Sequence, residues 1–234
     1  RNSSGVLIQD NETNTLVDFG YGNLKQLLNL GITYHEIDRI FFTHNHPDHM
    51  CDLIPFLFGS RYQLDARKKD LEIVAGPGFQ VFFDKLMLAF KHWLKPTEYK
   101  LNIVEIDEGI YEFGKIKVQA GKVKHIAMSR GYRFTNEKGK SVALSGDTDY
   151  CDGMIDLGRE ADLMILECAW PDEEKTEGHL GPTLAGKLAA EANCKKLCLT
   201  HFYPPCDLEN IRNTVQNIYK GELALARDLM QFEL

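Results

Sequence analysis

The segment Phe41-Phe42-Thr43-His44-Asn45-His46-Pro47-Asp48-His49 constrains this chain more than any other. Arg39–Phe42 before it reads as a strand, and Pro47 suits the first position of a helix. Three histidines and one aspartate therefore crowd a single strand-to-helix junction. Imidazole and carboxylate suit Zn²⁺ and similar borderline metals. His44 and His46 lie two apart, so an extended backbone points both the same way. Asp48 and His49 are adjacent and diverge, so they can reach a second metal. The spacing offers two ligand pairs rather than one four-ligand cage. A polar loop rich in histidine by accident is the competing reading, but three of only eight histidines fall here.

A pair of ligands leaves each metal incomplete, so others must come from further strand ends. Three residues qualify. His125 follows the strand-like 115–119 region, Asp147 comes straight after strand 142–145, and His201 ends Lys196-Leu197-Cys198-Leu199-Thr200-His201. Asp147 suits a bridging role, because a carboxylate can bind one metal through each oxygen. Each is a weak signal alone, since a lone histidine at a strand end is usually structural.

The remaining pattern alternates throughout. Val6-Leu7-Ile8 and Leu16-Val17-Asp18-Phe19 read as a hairpin around the polar turn Asp10-Asn11-Glu12-Thr13-Asn14. Helices are predicted over 22–31, 47–64, 79–95, about 183–193 and about 208–219. Strands are predicted over 39–42, 71–75, 101–106, 110–113, 115–119, 131–135, 142–145, 163–167 and 197–200, with a closing strand in 222–234. No linker, low-complexity tract or short-period repeat interrupts the order. The two halves share a plan, which predicts an α/β fold of two sheets packed face to face with helices outside, as a single domain over residues 1–234.

Hydrophobic residues make up 44% of the chain and charged residues 26%, enough for a packed core. No apolar run approaches the roughly 18 residues a membrane helix needs. The start, Arg1-Asn2-Ser3-Ser4-Gly5, lacks a methionine and the apolar core of a signal peptide, so residues are expected upstream. The cysteines at 51, 151, 168, 194, 198 and 206 complete no zinc-ribbon pattern and read as reduced thiols of a cytoplasmic protein. A net charge of −7 argues against a broad nucleic-acid-binding surface. Two Zn²⁺ ions would change it to −7 + 4 = −3 and concentrate positive charge in one cleft, where an anionic substrate is still attracted.

Taken in order, His44-x-His46-x-Asp48-His49, His125, Asp147 and His201 resemble the metallo-β-lactamase superfamily. Ser145-Gly146-Asp147-Thr148, Glu167-Cys168-Ala169 followed by Gly178-His179, and Leu199-Thr200-His201-Phe202 resemble more closely its ribonuclease Z branch and related phosphodiesterases. The resemblance implies a four-layer αβ/βα sandwich and two zinc ions, with Mn²⁺ or Fe²⁺ as alternative metals. It implies that His44, His46 and His125 bind one ion and that His49 and His201 bind the other. Asp48 contributes to the second, and Asp147 bridges. It also implies that His179, backed by Glu167, lies near the substrate phosphate.

The chain departs from that branch in three places. Only the 21 residues 126–146 separate His125 from Asp147, room for one hairpin around Thr135-Asn136-Glu137-Lys138-Gly139-Lys140 and not for the tRNA-gripping arm of ribonuclease Z. Asp52 stands where the family has glycine, and Cys168-Ala169 where Ala-Thr is usual. A small phosphodiester or a short nucleic-acid end is therefore the expected substrate, with a homodimer among the assemblies allowed. The expected mechanism is attack by a metal-bridging hydroxide, with Asp48 taking its proton and His179 assisting the leaving group. Trp93, Trp170, Phe202 and Tyr203 are candidates to stack a base, with core packing equally open for each. Two other functions compete: an acyl hydrolase acting on a lactone or thioester with the same metals, and a metal-binding sensor module without turnover.

Overall fold

The computed structural model describes residues 2–10 and 13–234. The chain divides into two compact units, Arg1–Ile106 and Asp107–Leu234. Each is built on its own sheet.

The first unit has five strands in sequential order: β1 (Val6–Gln9), β2 (Asn14–Val17), β3 (Arg39–Phe42), β4 (Leu71–Ala75) and β5 (Leu101–Glu105). β1 and β2 form the expected antiparallel hairpin. Asn11 and Glu12 of its turn lie outside the described residues. The other pairs are parallel and need crossovers. These contain α1 (Asn23–Asn29), α2 (Pro47–Met50), α3 (Leu53–Gly59) and α4 (Phe79–Phe90). Val17 lies opposite Phe41 in the parallel β2–β3 pair. The residues that follow, Asp18 and Thr43-His44, therefore emerge at one carboxyl edge, where open α/β sheets place their ligands.

The second unit holds β6 (Gly109–Phe113), β7 (Ile116–Lys122), β8 (Arg130–Thr135), β9 (Ser141–Leu144), β10 (Leu163–Glu167), β11 (Lys196–Thr200) and β12 (Glu222–Leu225). Their sheet runs β12-β11-β10-β9-β8-β7-β6. β6 to β9 are an antiparallel meander, and β9 to β12 are parallel. α5 (Asp152–Gly158), α6 (Pro182–Ala192) and α7 (Leu208–Ile218) bury Met154, Leu157, Leu188, Ala189, Ile211 and Val215 in one core. The parallel strands β9, β10 and β11 bring Asp147, Glu167 and His201 to one edge. Two mixed α/β units with helices match the fold class expected from the alternating pattern.

Two local expectations need correction. The helix expected over 47–64 breaks at Cys51-Asp52 and stops at Gly59. Asp52 turns aside there, and its carboxylate accepts the Leu24 backbone N–H at 2.6 Å, closing the first turn of α1. The helix expected over 79–95 ends at Phe90, because Lys91 adopts a left-handed φ of 54°, and a 3₁₀ turn covers Lys91–Leu94. α5 went unforeseen, being too short and too glycine-flanked to show a period. Within the basic stretch 61–69, Arg67 is buried. Its guanidinium donates to the carbonyls of Tyr34, Ile37 and Asp70 and lies over the Phe56 and Tyr99 rings. Among the described residues no helix is long and apolar enough to cross a membrane.

Asp162 ties the start of β10 to the β8–β9 hairpin. Its carboxylate accepts the Ser141 N–H at 2.9 Å and pairs with Lys195 at 3.0 Å and Lys140 at 3.3 Å. Burial pushes its pKa up, but the two lysines and the backbone donor prevail and hold it at about 2. A depressed carboxyl stabilises the fold above its unfolded pKa, near 4, and loses that contribution as pH falls through the folded value. Asp162→Asn should cost about 2 kcal/mol at neutral pH, an order-of-magnitude figure. Urea unfolding of both proteins should show the gap closing between pH ~4 and pH ~2. A gap that stays constant across that window contradicts this role.

Candidate metal centre

In the first unit the ligand geometry starts from a residue that the sequence reading left unassigned. Asp18 follows β2 in a left-handed conformation, φ 60°, and is 2% exposed. Burying a carboxylate costs heavily unless donors surround it. Its Oδ1 accepts the Thr43 N–H at 2.8 Å, and the Thr43 hydroxyl donates to the carboxylate at 2.9–3.0 Å. Its Oδ2 meets His49 Nδ1 at 2.7 Å. Thr43 has one hydroxyl proton, committed to Asp18, so its oxygen accepts from His44 Nδ1 at 3.0 Å. Both imidazoles thus carry the proton on Nδ1, which makes Nε2 the nitrogen able to ligate a metal.

The same loop closes against the end of β2. Phe19 N–H donates to the His49 carbonyl at 2.6 Å, and Asp52 N–H to the Phe19 carbonyl at 3.0 Å. Gly20 is required at this approach, because a Cβ there would lie 1.9 Å from the Asp48 carbonyl oxygen. The His44 ring lies 4.6 Å from that of His46 and 4.1 Å from that of His49. Asp48 Oδ2 lies 3.6 Å from His49 Nε2. All four residues of the junction are brought together.

The second unit gathers His125, Asp147, Glu167, His179 and His201. His125 Nδ1 donates to the Gly178 carbonyl at 3.0 Å, which fixes the same tautomer. Gly178 has φ 85°, and a Cβ there would come within 2.9 Å of that nitrogen. Asp147 faces a different histidine with each oxygen: Oδ2 is 3.8 Å from His125 Nε2, and Oδ1 is 3.4 Å from His201 Nε2. His201 is itself left-handed, φ 60°, an uncommon state for a non-glycine residue. His179 joins Asp147 and His201 in a trio with donor atoms within 4.8 Å of one another.

Glu167 is fully enclosed. Burial pushes its pKa up, and the His179 hydrogen bond opposes this. Its oxygens accept from Thr148 N (2.8 Å), His179 Nδ1 (2.9 Å), Ala169 N (3.1 Å) and Leu180 N (3.1 Å). Three of these donors are backbone N–H groups that can only donate, so we assign the carboxylate form. Asp149, also unassigned by sequence, holds the loop bearing His179. Its Oδ2 accepts from Lys175 at 2.9 Å and from Gly178 N at 3.3 Å. Of the four aromatic candidates, Tyr203 lies 5.1 Å from the His201 ring and 5.0 Å from Trp170, ring centre to ring centre. Phe202 packs against the core of this unit, and Trp93 belongs to the first unit and is exposed.

Imidazole nitrogens with fixed tautomers, together with carboxylates, form a donor set that suits a divalent borderline metal. Asp18→Asn tests the tautomer. An asparagine amide facing His49 would donate to Nδ1 and move the ring proton to Nε2, the nitrogen otherwise able to ligate a metal. Zinc affinity, measured against a competing chelator, should fall roughly 10–100-fold, as for other outer-shell partners. Unchanged affinity would show that Asp18 serves packing only.

A family profile, the beta-lactamase superfamily domain, matches residues 13–202. Ribonuclease Z of Brevibacillus brevis is 28% identical over 87% of this chain and 80% of its own length. The solved structure of the metallo-beta-lactamase fold protein YhfI from Bacillus subtilis superposes with a TM-score of 0.84 at 25% identity, covering 97% of this chain and 90% of that one. The short form of human tRNase Z gives 0.77 at 25% identity, covering 98% and 90%. The chain belongs to the beta-lactamase superfamily, as a metal-dependent hydrolase of the metallo-β-lactamase fold related to ribonuclease Z.

Proposed function

We propose that this protein is a dinuclear-zinc phosphodiesterase acting on small phosphodiesters or short nucleic-acid ends. The observation that carries this reading is His179 held at 2.9 Å by the buried Glu167. A carboxylate behind an imidazole fixes its tautomer and favours its protonated form. Such a cation suits a phosphoryl group, which develops negative charge on its oxygens and needs its leaving oxygen protonated. A lactone or thioester carbonyl makes less use of it, which ranks the acyl hydrolase second. A sensor without turnover ranks third, because seven ligands are present in the family's order.

In this reading the two units act as one hydrolase domain over residues 1–234. His44, His46 and His125 would hold one zinc and His49, Asp48 and His201 the other, with Asp147 available to both. When bound, the metals make a nucleophile available from water at neutral pH and offset charge on the phosphoryl oxygens. Asp48 has a side chain about one-third exposed, so it can receive the proton of an entering water. His179 donates from Nε2 to the departing oxygen, and Glu167 stabilises the ring before the transfer. The short hairpin at 136–140 in place of an arm favours small substrates. Six free thiols fit a cytoplasmic, reducing setting.

The trio Asp147, His179 and His201 favours one further reading, in which His179 is a metal ligand. His179→Ala separates the two. As a general acid, its loss should leave metal content intact and lower phosphodiester turnover roughly 10²–10⁴-fold. The loss should be smallest with p-nitrophenolate leaving groups, which scarcely need a proton, and largest with alkyl or nucleoside ones. Lost metal would make His179 a ligand. Equal loss on both substrate types would leave it stabilising phosphoryl charge only, and no loss on either removes the main support for phosphodiester over acyl hydrolysis.

A further inference from the structure

One exposed face of the first unit is unused by the proposed chemistry. Residues 85–95, Lys-Leu-Met-Leu-Ala-Phe-Lys-His-Trp-Leu-Lys, carry three lysines, a histidine and no carboxylate, in a chain of net charge −7. They form the end of α4 and the 3₁₀ turn after it. Leu94 is buried and anchors the turn, whereas its neighbour Trp93 is 54% exposed. Trp93 is nonetheless braced. The Phe58 ring lies 6.1 Å away, the Arg61 guanidinium sits 5.8 Å from its ring centre, and Arg61 also donates to the His92 carbonyl. Lys91 and Lys95 are exposed on the same turn. A groove of about 450 Å³ runs between Met87, Leu88, Lys91, His92 and Lys95. Its one acidic wall residue, Asp84, accepts a hydrogen bond from Gln80 at 2.9 Å.

An exposed indole braced by its neighbours and flanked by cations has the chemistry of a stacking platform for nucleic acid: π-faces for bases, ammonium groups for phosphates. A second copy of this chain fits poorly. A two-fold contact sets a surface against itself, and this one would oppose like charges. We propose that this face binds a single-stranded nucleic acid through residues outside the ligand sets, with Trp93 stacking a base and Lys91 and Lys95 contacting phosphates. The choice of occupant rests on the phosphodiesterase reading. The face supplies a grip on polynucleotide away from the 136–140 hairpin.

The test uses the metal-loaded full chain and a fluorescein-labelled 2′-O-methyl oligouridylate of roughly ten nucleotides, which fits the usual site size and whose intact length is verified on a gel after each titration. Affinity is read by anisotropy across a salt series. Trp93→Ala should weaken binding roughly 5- to 150-fold. Lys91→Gly, which also relieves the left-handed backbone, should flatten the slope of log affinity against log salt by about 0.7, and Lys95→Gln by a similar amount. All three variants should hydrolyse bis-p-nitrophenyl phosphate at the wild-type rate. Unchanged affinity and slope in all three overturn the proposal, while wild-type turnover of the small diester leaves the phosphodiesterase reading standing. A wild-type protein that binds the oligonucleotide through Trp93 but hydrolyses no diester removes that reading and keeps the surface. If Trp93→Ala instead converts a dimer to a monomer by light scattering, with oligonucleotide affinity unaltered, the face is a self-interface and the proposal fails.

Discussion

Burying imidazoles and carboxylates together is the constraint on which the rest of this molecule depends. Neither tolerates an apolar interior unless its polar atoms are matched. Asp18 and Glu167 meet that demand in the two units. Each follows or ends a parallel strand, is almost wholly enclosed, and spends its oxygens on one imidazole and on backbone N–H groups, three for Glu167 and one for Asp18, where the Thr43 hydroxyl adds to it. The matching does more than offset desolvation. It leaves the proton of each tied ring on Nδ1 and directs a lone pair or a donor from Nε2. The hydrogen-bond requirement of the interior thereby sets the chemistry of the site.

Backbone conformation serves the same end. Asp18 and His201, one in each unit, both leave a strand with φ 60°. Such positions cost on the order of 1–3 kcal/mol each and persist only where surroundings over-determine them. Here the surroundings are the hydrogen bonds of Asp18 and the packing of His201 against Tyr203. Gly20 and Gly178 add the complementary device, a missing side chain where one segment must touch another. Removing the Cβ at Gly20 lets the end of β2 contact the Asp48 carbonyl, and at Gly178 it admits the His125 ring.

Much of this was legible in sequence. The histidine and aspartate run 44–49, the strands before His44, Asp147 and His201, and the pairing of Glu167 with His179 were all named from spacing or resemblance. The alternating order gave the mixed α/β class and most strands to within a residue or two. What escaped has identifiable causes. Asp18 hides in an apolar run, Leu16-Val17-Asp18-Phe19, where a single acid reads as a strand end. Asp149 and Lys175 lie 26 residues apart and meet only through the tertiary fold. α5 is too short to display periodicity, and the break at Cys51-Asp52 comes from a distant backbone N–H recruiting Asp52. The burial of Arg67 is not legible either, because charge alone does not reveal that three carbonyls await it.

The central claim is the proposal that this hydrolase works with two zinc ions. Elemental analysis of the zinc-reconstituted, desalted protein tests it directly. The account predicts about two zinc ions per chain, both retained through desalting, as a dinuclear hydrolytic site requires. One ion, or none, would contradict it.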